Sequence, residues 1–204
     1  MHTTHIVEAG NTVNPLKALI MAHGRGGTAE DILSLAVHLN VKDYLLLAPQ
    51  ATGNSWYPKS FLAPVAENEP WLTSALQQLD AAVVAAKQKG VEAGNIYFAG
   101  FSQGACLTLE YTARNAQRYG GMAAFTGGLI GATINPASYT GNFNGTPVFI
   151  GTSSTDFHVP VQRVYATTNI FKNLGADVTE KVYENMGHTI NQDELEQANR
   201  LVFM

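Results

Sequence analysis

The chain has 204 residues, 46% hydrophobic and 14% charged, with twelve Lys plus Arg against sixteen Asp plus Glu and a formal net charge of −4. This length suits a single α/β domain over residues 1–204 with a large core, and the low charge excludes a disordered or tail-dominated chain. No basic run is long enough to neutralise a line of phosphates, so nucleic acid is not an expected partner.

Cys106 is the only cysteine, which excludes an intrachain disulfide and a four-thiolate metal site. The start, Met1-His2-Thr3-Thr4-His5, lacks the basic and apolar regions of a signal peptide, and no apolar run approaches the roughly 20 residues of a membrane span. A cytoplasmic protein with no membrane span is the expectation.

Apolar runs alternate with helical periodicity, the pattern of a mostly parallel sheet with helices on both faces. Thr3 to Ala9 suggests an antiparallel edge strand, and Leu16 to Met21 is the first buried strand. A glycine-rich turn then leads into a helix that Thr28 can cap, with Glu30 and Asp31 at its positive end and Ile32, Leu33, Leu35, Ala36 and Leu39 as an apolar stripe. Leu45 to Ala48 is the next strand. Pro49 to Pro70 carries four prolines and reads as the longest irregular stretch, a candidate substrate-facing loop. Trp71 to Lys89 is helical, Asn95 to Ala99 a strand, and Ala105 to Gln117 a helix. Gly121 to Phe125 and Pro147 to Gly151 are strands separated by a turn-rich connection, Val161 to Leu174 is a helix, Asp177 to Tyr183 a strand and Asp193 to Phe203 the closing helix. No long insertion follows the Phe125 strand, so no lid domain is expected.

Gly100-Phe101-Ser102-Gln103-Gly104 lies between a strand and a helix, the context in which a G-x-S-x-G match becomes a nucleophile elbow. A serine hydroxyl is a weak nucleophile near neutrality and needs a base, and the base needs an orienting group. In such sheets, chemistry gathers at the carboxyl ends of the parallel strands. Asp156 and His188 follow two later strands, in the order Ser, Asp, His of α/β-hydrolases. His158 competes as base but shares the acid's own loop; His2 and His5 belong to a start expected to be mobile, His38 to a helix, and His23 to the shaping of the first loop. Asp177 opens a strand at the wrong sheet edge, and Asp193 could reach His188 only by local folding. Acyl transfer also needs donors for the oxyanion. The backbone N–H of Gln103 and that of Arg25, in His23-Gly24-Arg25-Gly26-Gly27, are the candidates. The Arg25 side chain is either solvated or a partner for an anionic substrate group. Cys106 reads as core.

Together, His23-Gly24-Arg25-Gly26-Gly27, Gly100-Phe101-Ser102-Gln103-Gly104-Ala105, Asp156 with Val159-Pro160, and Gly187-His188 resemble the phospholipase/carboxylesterase family of small α/β-hydrolases, which includes acyl-protein thioesterases. The resemblance implies a serine carboxylesterase that uses no cofactor, acts on small-molecule carboxylic or thio esters, and carries Ser102, Asp156 and His188 as triad with oxyanion amides from Arg25 and Gln103. It also implies a homodimer. The alternative is a binding protein that keeps the hydrolase scaffold without turnover. For the pocket wall, Trp56, Phe157 and Leu129 lead a set that also includes Tyr57, Phe61, Leu62 and Ile130.

Overall fold

The computed structural model describes residues 1–204, in which the apolar runs pair into one seven-stranded sheet. The strands are β1 (Ile6–Gly10), β2 (Ala18–Ala22), β3 (Leu45–Pro49), β4 (Ile96–Phe101), β5 (Gly121–Phe125), β6 (Pro147–Ser153) and β7 (Asp177–Tyr183). Their order is β1-β3-β2-β4-β5-β6-β7, and only β1 runs antiparallel to its neighbour.

Strand alternation divides the apolar side chains between two cores. Ile20, Leu47, Phe98, Met122 and Ile150 point to one face, where α3 (Trp71–Gln88), α4 (Gln103–Arg114) and α5 (Val161–Asn173) bring Leu79, Leu109 and Phe171. Met21, Leu46, Tyr97, Phe125 and Phe149 point to the other, covered by α1 (Ala29–Ser34) and α6 (Gln192–Leu201) through Ile32, Leu195 and Ala198. Both surfaces of β2 to β5 are thereby dry, which is why these strands read as unbroken apolar runs.

Caps and turns set the element ends. Thr28 accepts from the Asp31 N–H while the Asp31 carboxylate accepts from the Thr28 N–H, a reciprocal box that starts α1. α4 begins at Gln103, two residues earlier than its apolar pattern suggests, because the turn at Ser102 feeds straight into the first helical turn. It stops at Arg114, where the Asn115 side chain donates back to the Tyr111 carbonyl at 2.9 Å. The Pro49 to Pro70 connection holds a 3-10 turn at Thr52–Asn54 and a one-turn helix α2 (Val65–Asn68). No helix is long and apolar enough to cross a membrane.

The amino terminus is pinned, contrary to the mobility expected of it. The His2 amide donates to Ser74 Oγ at 2.9 Å, and its ring lies within 2.9 Å of the Trp56 carbonyl and accepts from the Thr52 N–H at 3.1 Å. His2 therefore ties the chain start to the irregular segment that approaches the site.

Candidate active site

Ser102 sits at φ 54° and ψ −120°, a conformation costing a side-chain-bearing residue about 1–3 kcal/mol unless its surroundings hold it. They do: the Ser102 N–H donates to the Phe125 carbonyl on β5 at 3.0 Å, and its carbonyl accepts from the Cys106 N–H at 3.0 Å. The flanking glycines are steric requirements. A Cβ at Gly100 would stand 2.6 Å from the Gly104 carbonyl oxygen, and one at Gly104 would stand 2.1 Å from the Ala22 oxygen on β2. Helix α4 can start this close to β2 and β4 only without those atoms.

Two loops at the same sheet end meet Ser102. His188, after β7, places Nε2 2.7 Å from Ser102 Oγ and Nδ1 2.6 Å from Asp156 Oδ2. The other Asp156 oxygen accepts from the N–H groups of His158 (2.7 Å) and Val159 (3.0 Å), so its carboxylate, with a side chain 0% exposed, is fixed from both sides. The His188 ring is held between Phe101, at a centroid distance of 5.2 Å, and His158, at 4.9 Å. His158 thus meets the imidazole edge to face, at an interplanar angle of 64°, while His188 itself contacts the serine.

The His23–Gly27 loop lies against the elbow: a Cβ on Gly24 would stand 3.5 Å from Ser102 Cβ. His23 is buried, accepts from the Ala51 N–H at Nε2 (3.1 Å), and so carries its proton on Nδ1, which donates to the Gly24 carbonyl at 2.7 Å. Burial pushes its pKa down, in keeping with this neutral form. The main-chain N–H groups of Arg25 and Gln103 find no acceptor within the protein, and both residues line the cavity of about 430 Å³ that opens onto Ser102 and His188. An unpartnered N–H at a helix start and another on a glycine loop are donors available to an incoming oxyanion.

A model of the phospholipase/carboxylesterase family matches residues 3–202. The chain belongs to this family. Among solved structures it is similar to a phospholipase/carboxylesterase from Dyadobacter fermentans, with 50% identity, a TM-score of 0.98, and coverage of 100% of this chain and 98% of that one. A probable carboxylesterase, SOBER1-like, of Arabidopsis thaliana is 26% identical over 64% of this chain and 50% of its own length. An acyl-protein thioesterase 1 of Kluyveromyces lactis is 29% identical over 61% and 56% respectively. The chain thus spans about half the length of the curated relatives it matches.

The expected pocket wall needs correction. Trp56 is completely buried, its indole N–H donating to the His23 carbonyl at 2.8 Å and its ring lying 4.8 Å from that of His23, so it packs behind the loop instead of facing the cavity. Leu129 is also buried in the core, fixed by its N–H to Thr167 Oγ1. Phe157 is 99% exposed and lies outside the cavity lining. The wall is built by Tyr57 to Phe61, with Cys106, His158 and Val159. Burial raises the Cys106 thiol to about 12, which makes it an inert wall residue.

Sequence reasoning missed the side chains that hold this wall and the Leu129 to Ala132 segment, whose Gly131 N–H donates to the Phe61 carbonyl at 2.7 Å. The Arg25 guanidinium donates to Ser55 Oγ and to the carbonyls of Tyr57, Pro58 and Lys59, a clamp that neither role expected of it included. The Gln103 side chain accepts from the Trp56 N–H and donates to the Tyr57 carbonyl, each at 2.9 Å. Arg163 clamps the carbonyls of Leu129, Gly131 and Ala132, and the buried Glu110 carboxylate receives the Ile130 N–H and the Tyr139 hydroxyl. Because these side chains mostly grip main-chain groups, no side-chain pattern in the sequence announces them.

Proposed function

We propose that the chain is a serine esterase that hydrolyses small carboxylic or thio esters through an acyl-enzyme on Ser102, with His188 as general base and Asp156 as its orienting acid. The observation that carries this reading is the continuous hydrogen-bond chain from Asp156 through both nitrogens of His188 to Ser102 on its positive-φ turn. Family membership supports the reaction class.

His188 Nε2 takes the Ser102 proton as Oγ attacks the ester carbonyl. The Arg25 and Gln103 amides receive the resulting oxyanion, each donor contributing about 2.7–4 kcal/mol of barrier lowering. His188 returns the proton to the departing alcohol or thiol. Water then attacks the acyl-serine with the same imidazole as base, the carboxylic acid departs, and Ser102 regains its proton. The Asp156 carboxylate holds the ring in the tautomer with Nδ1–H, leaving Nε2 free to accept, and it stabilises the imidazolium formed in each step.

The test is covalent. A fluorophosphonate probe should add once per chain, with the adduct mapping to Ser102, and His188→Ala should abolish labelling while the protein stays folded. Labelling elsewhere, or none on folded wild-type protein, contradicts the assignment.

A further inference from the structure

Two cationic side chains on the wall of the cavity beside Ser102, Arg25 and Lys59, make no ion pair. Arg25 donates only to neutral oxygens, one hydroxyl and three carbonyls, and no carboxylate lies within ion-pair distance of it. Lys59, also on the cavity wall, makes neither a side-chain hydrogen bond nor an ion pair. The lining includes no Asp and no Glu. The nearby carboxylate, Asp156, is hidden and spends both oxygens on His188 and on two backbone amides.

The backbone that carries Lys59 is held firmly. Its N–H donates to Oδ1 of the fully buried Asn68 at 2.8 Å, its carbonyl accepts from Arg25 at 2.8 Å, and Asn68 grips the next carbonyl, that of Ser60, at 3.0 Å. The Lys59 side chain itself is exposed where it lines the cavity. In a chain of net charge −4, two uncompensated cations at the mouth of one cavity attract anions selectively.

We infer that the substrate is a short ester whose acyl part bears a carboxylate, seated against Lys59 with the Arg25 charge behind it. This rests on the esterase reading given above. The acyl side is the side assigned because the acyl group stays bonded to Ser102 within the cavity after the alcohol has left. Phe61 and Val159 offer apolar wall for the few methylenes between the scissile carbonyl and the carboxylate, and about 430 Å³ suits a short chain.

Hydrolysis of monomethyl glutarate and of methyl pentanoate, followed by proton release at constant pH, tests the inference. Each reaction breaks the acyl C–O bond, consumes one water, and yields methanol, a carboxylate and one proton. At low salt, kcat/KM for the half-ester should exceed that for the neutral ester by about fivefold or more, and the ratio should shrink as salt screens the contact. Lys59→Gln should bring the ratio close to one, and Lys59→Arg should retain most of it. A wild-type ratio at or below one with methyl pentanoate turned over, or a ratio unmoved by Lys59→Gln, overturns the carboxylate assignment and leaves the esterase reading standing. No turnover of either ester while Ser102 still takes the fluorophosphonate also overturns the assignment. No turnover and no labelling overturns both.

Discussion

Replacing Glu194 with Gln should stabilise the protein at alkaline pH and not at acidic pH. Glu194 is fully buried in the first turn of α6, just after the loop that carries His188. Its Oε2 accepts from the Asn191 N–H at 2.9 Å, and Asn191 Oδ1 accepts from the Glu194 N–H at 2.8 Å. Oε1 has no partner and is pressed against Gly151 on β6, where an added Cβ would stand 2.2 Å from it. Burial pushes this carboxyl from 4.5 up to about 7, with a smaller contribution from neighbouring Asp193. The folded state therefore binds the proton more tightly than the unfolded chain. This favourable contribution is fully present below pH 4.5, is lost as pH rises towards 7, and leaves a constant deficit above that. At about 1.36 kcal/mol per unit, the deficit reaches roughly 3 kcal/mol. A neutral amide can still accept from the Asn191 N–H and carries no charge to desolvate. Thermal unfolding of both proteins at pH 5 and pH 8.5 measures the effect. The difference in Tm between variant and wild type should move in the variant's favour by on the order of 5–10 °C between the two pH values. Comparing differences cancels any fixed packing cost of the amide. Parallel Tm profiles would refute the claim that Glu194 is held protonated against β6.

Two further substitutions test the supports of the site. Arg25→Ala keeps the residue 25 N–H but frees the four oxygens that its guanidinium holds between Ser55 and Lys59; KM for a small aryl ester should rise about tenfold while kcat changes much less, and steady-state kinetics showing the reverse would contradict a clamping role. Gly104→Ala drives a methyl onto the Ala22 carbonyl, so it should destabilise by at least about 1–3 kcal/mol, read from the denaturation midpoint; wild-type stability would mean that α4 can retreat from β2 at no cost.

Much of this arrangement is legible in the residues themselves. The buried strands announce themselves because both faces of β2 to β5 are dry, and Asp177–Tyr183 is bounded as its alternation suggests. The serine turn is legible because Gly100 and Gly104 serve a steric demand that only glycine meets. The pocket wall is not, because an aromatic residue on an irregular segment can face either way. Trp56 turns inward to satisfy its indole N–H on His23, whereas Phe157, close by the acid in sequence, turns out to solvent. His2 looks like a free end residue, yet its backbone and ring bond to groups more than 50 positions away or close to it, contacts that no local pattern encodes. The clamps formed by Arg25, Gln103 and Arg163 escape sequence reading for the related reason that most of their acceptors are carbonyls, which every residue possesses.

The most direct test of the central claim is the turnover of a 4-nitrophenyl short-chain ester by Ser102→Ala beside wild type, with both shown to be folded by circular dichroism. If Ser102, His188 and Asp156 act as a unit, kcat should fall by on the order of 10⁶, to the background of the assay. Turnover within tenfold of wild type would contradict the account, because the bond-forming oxygen would then have to come from somewhere other than residue 102.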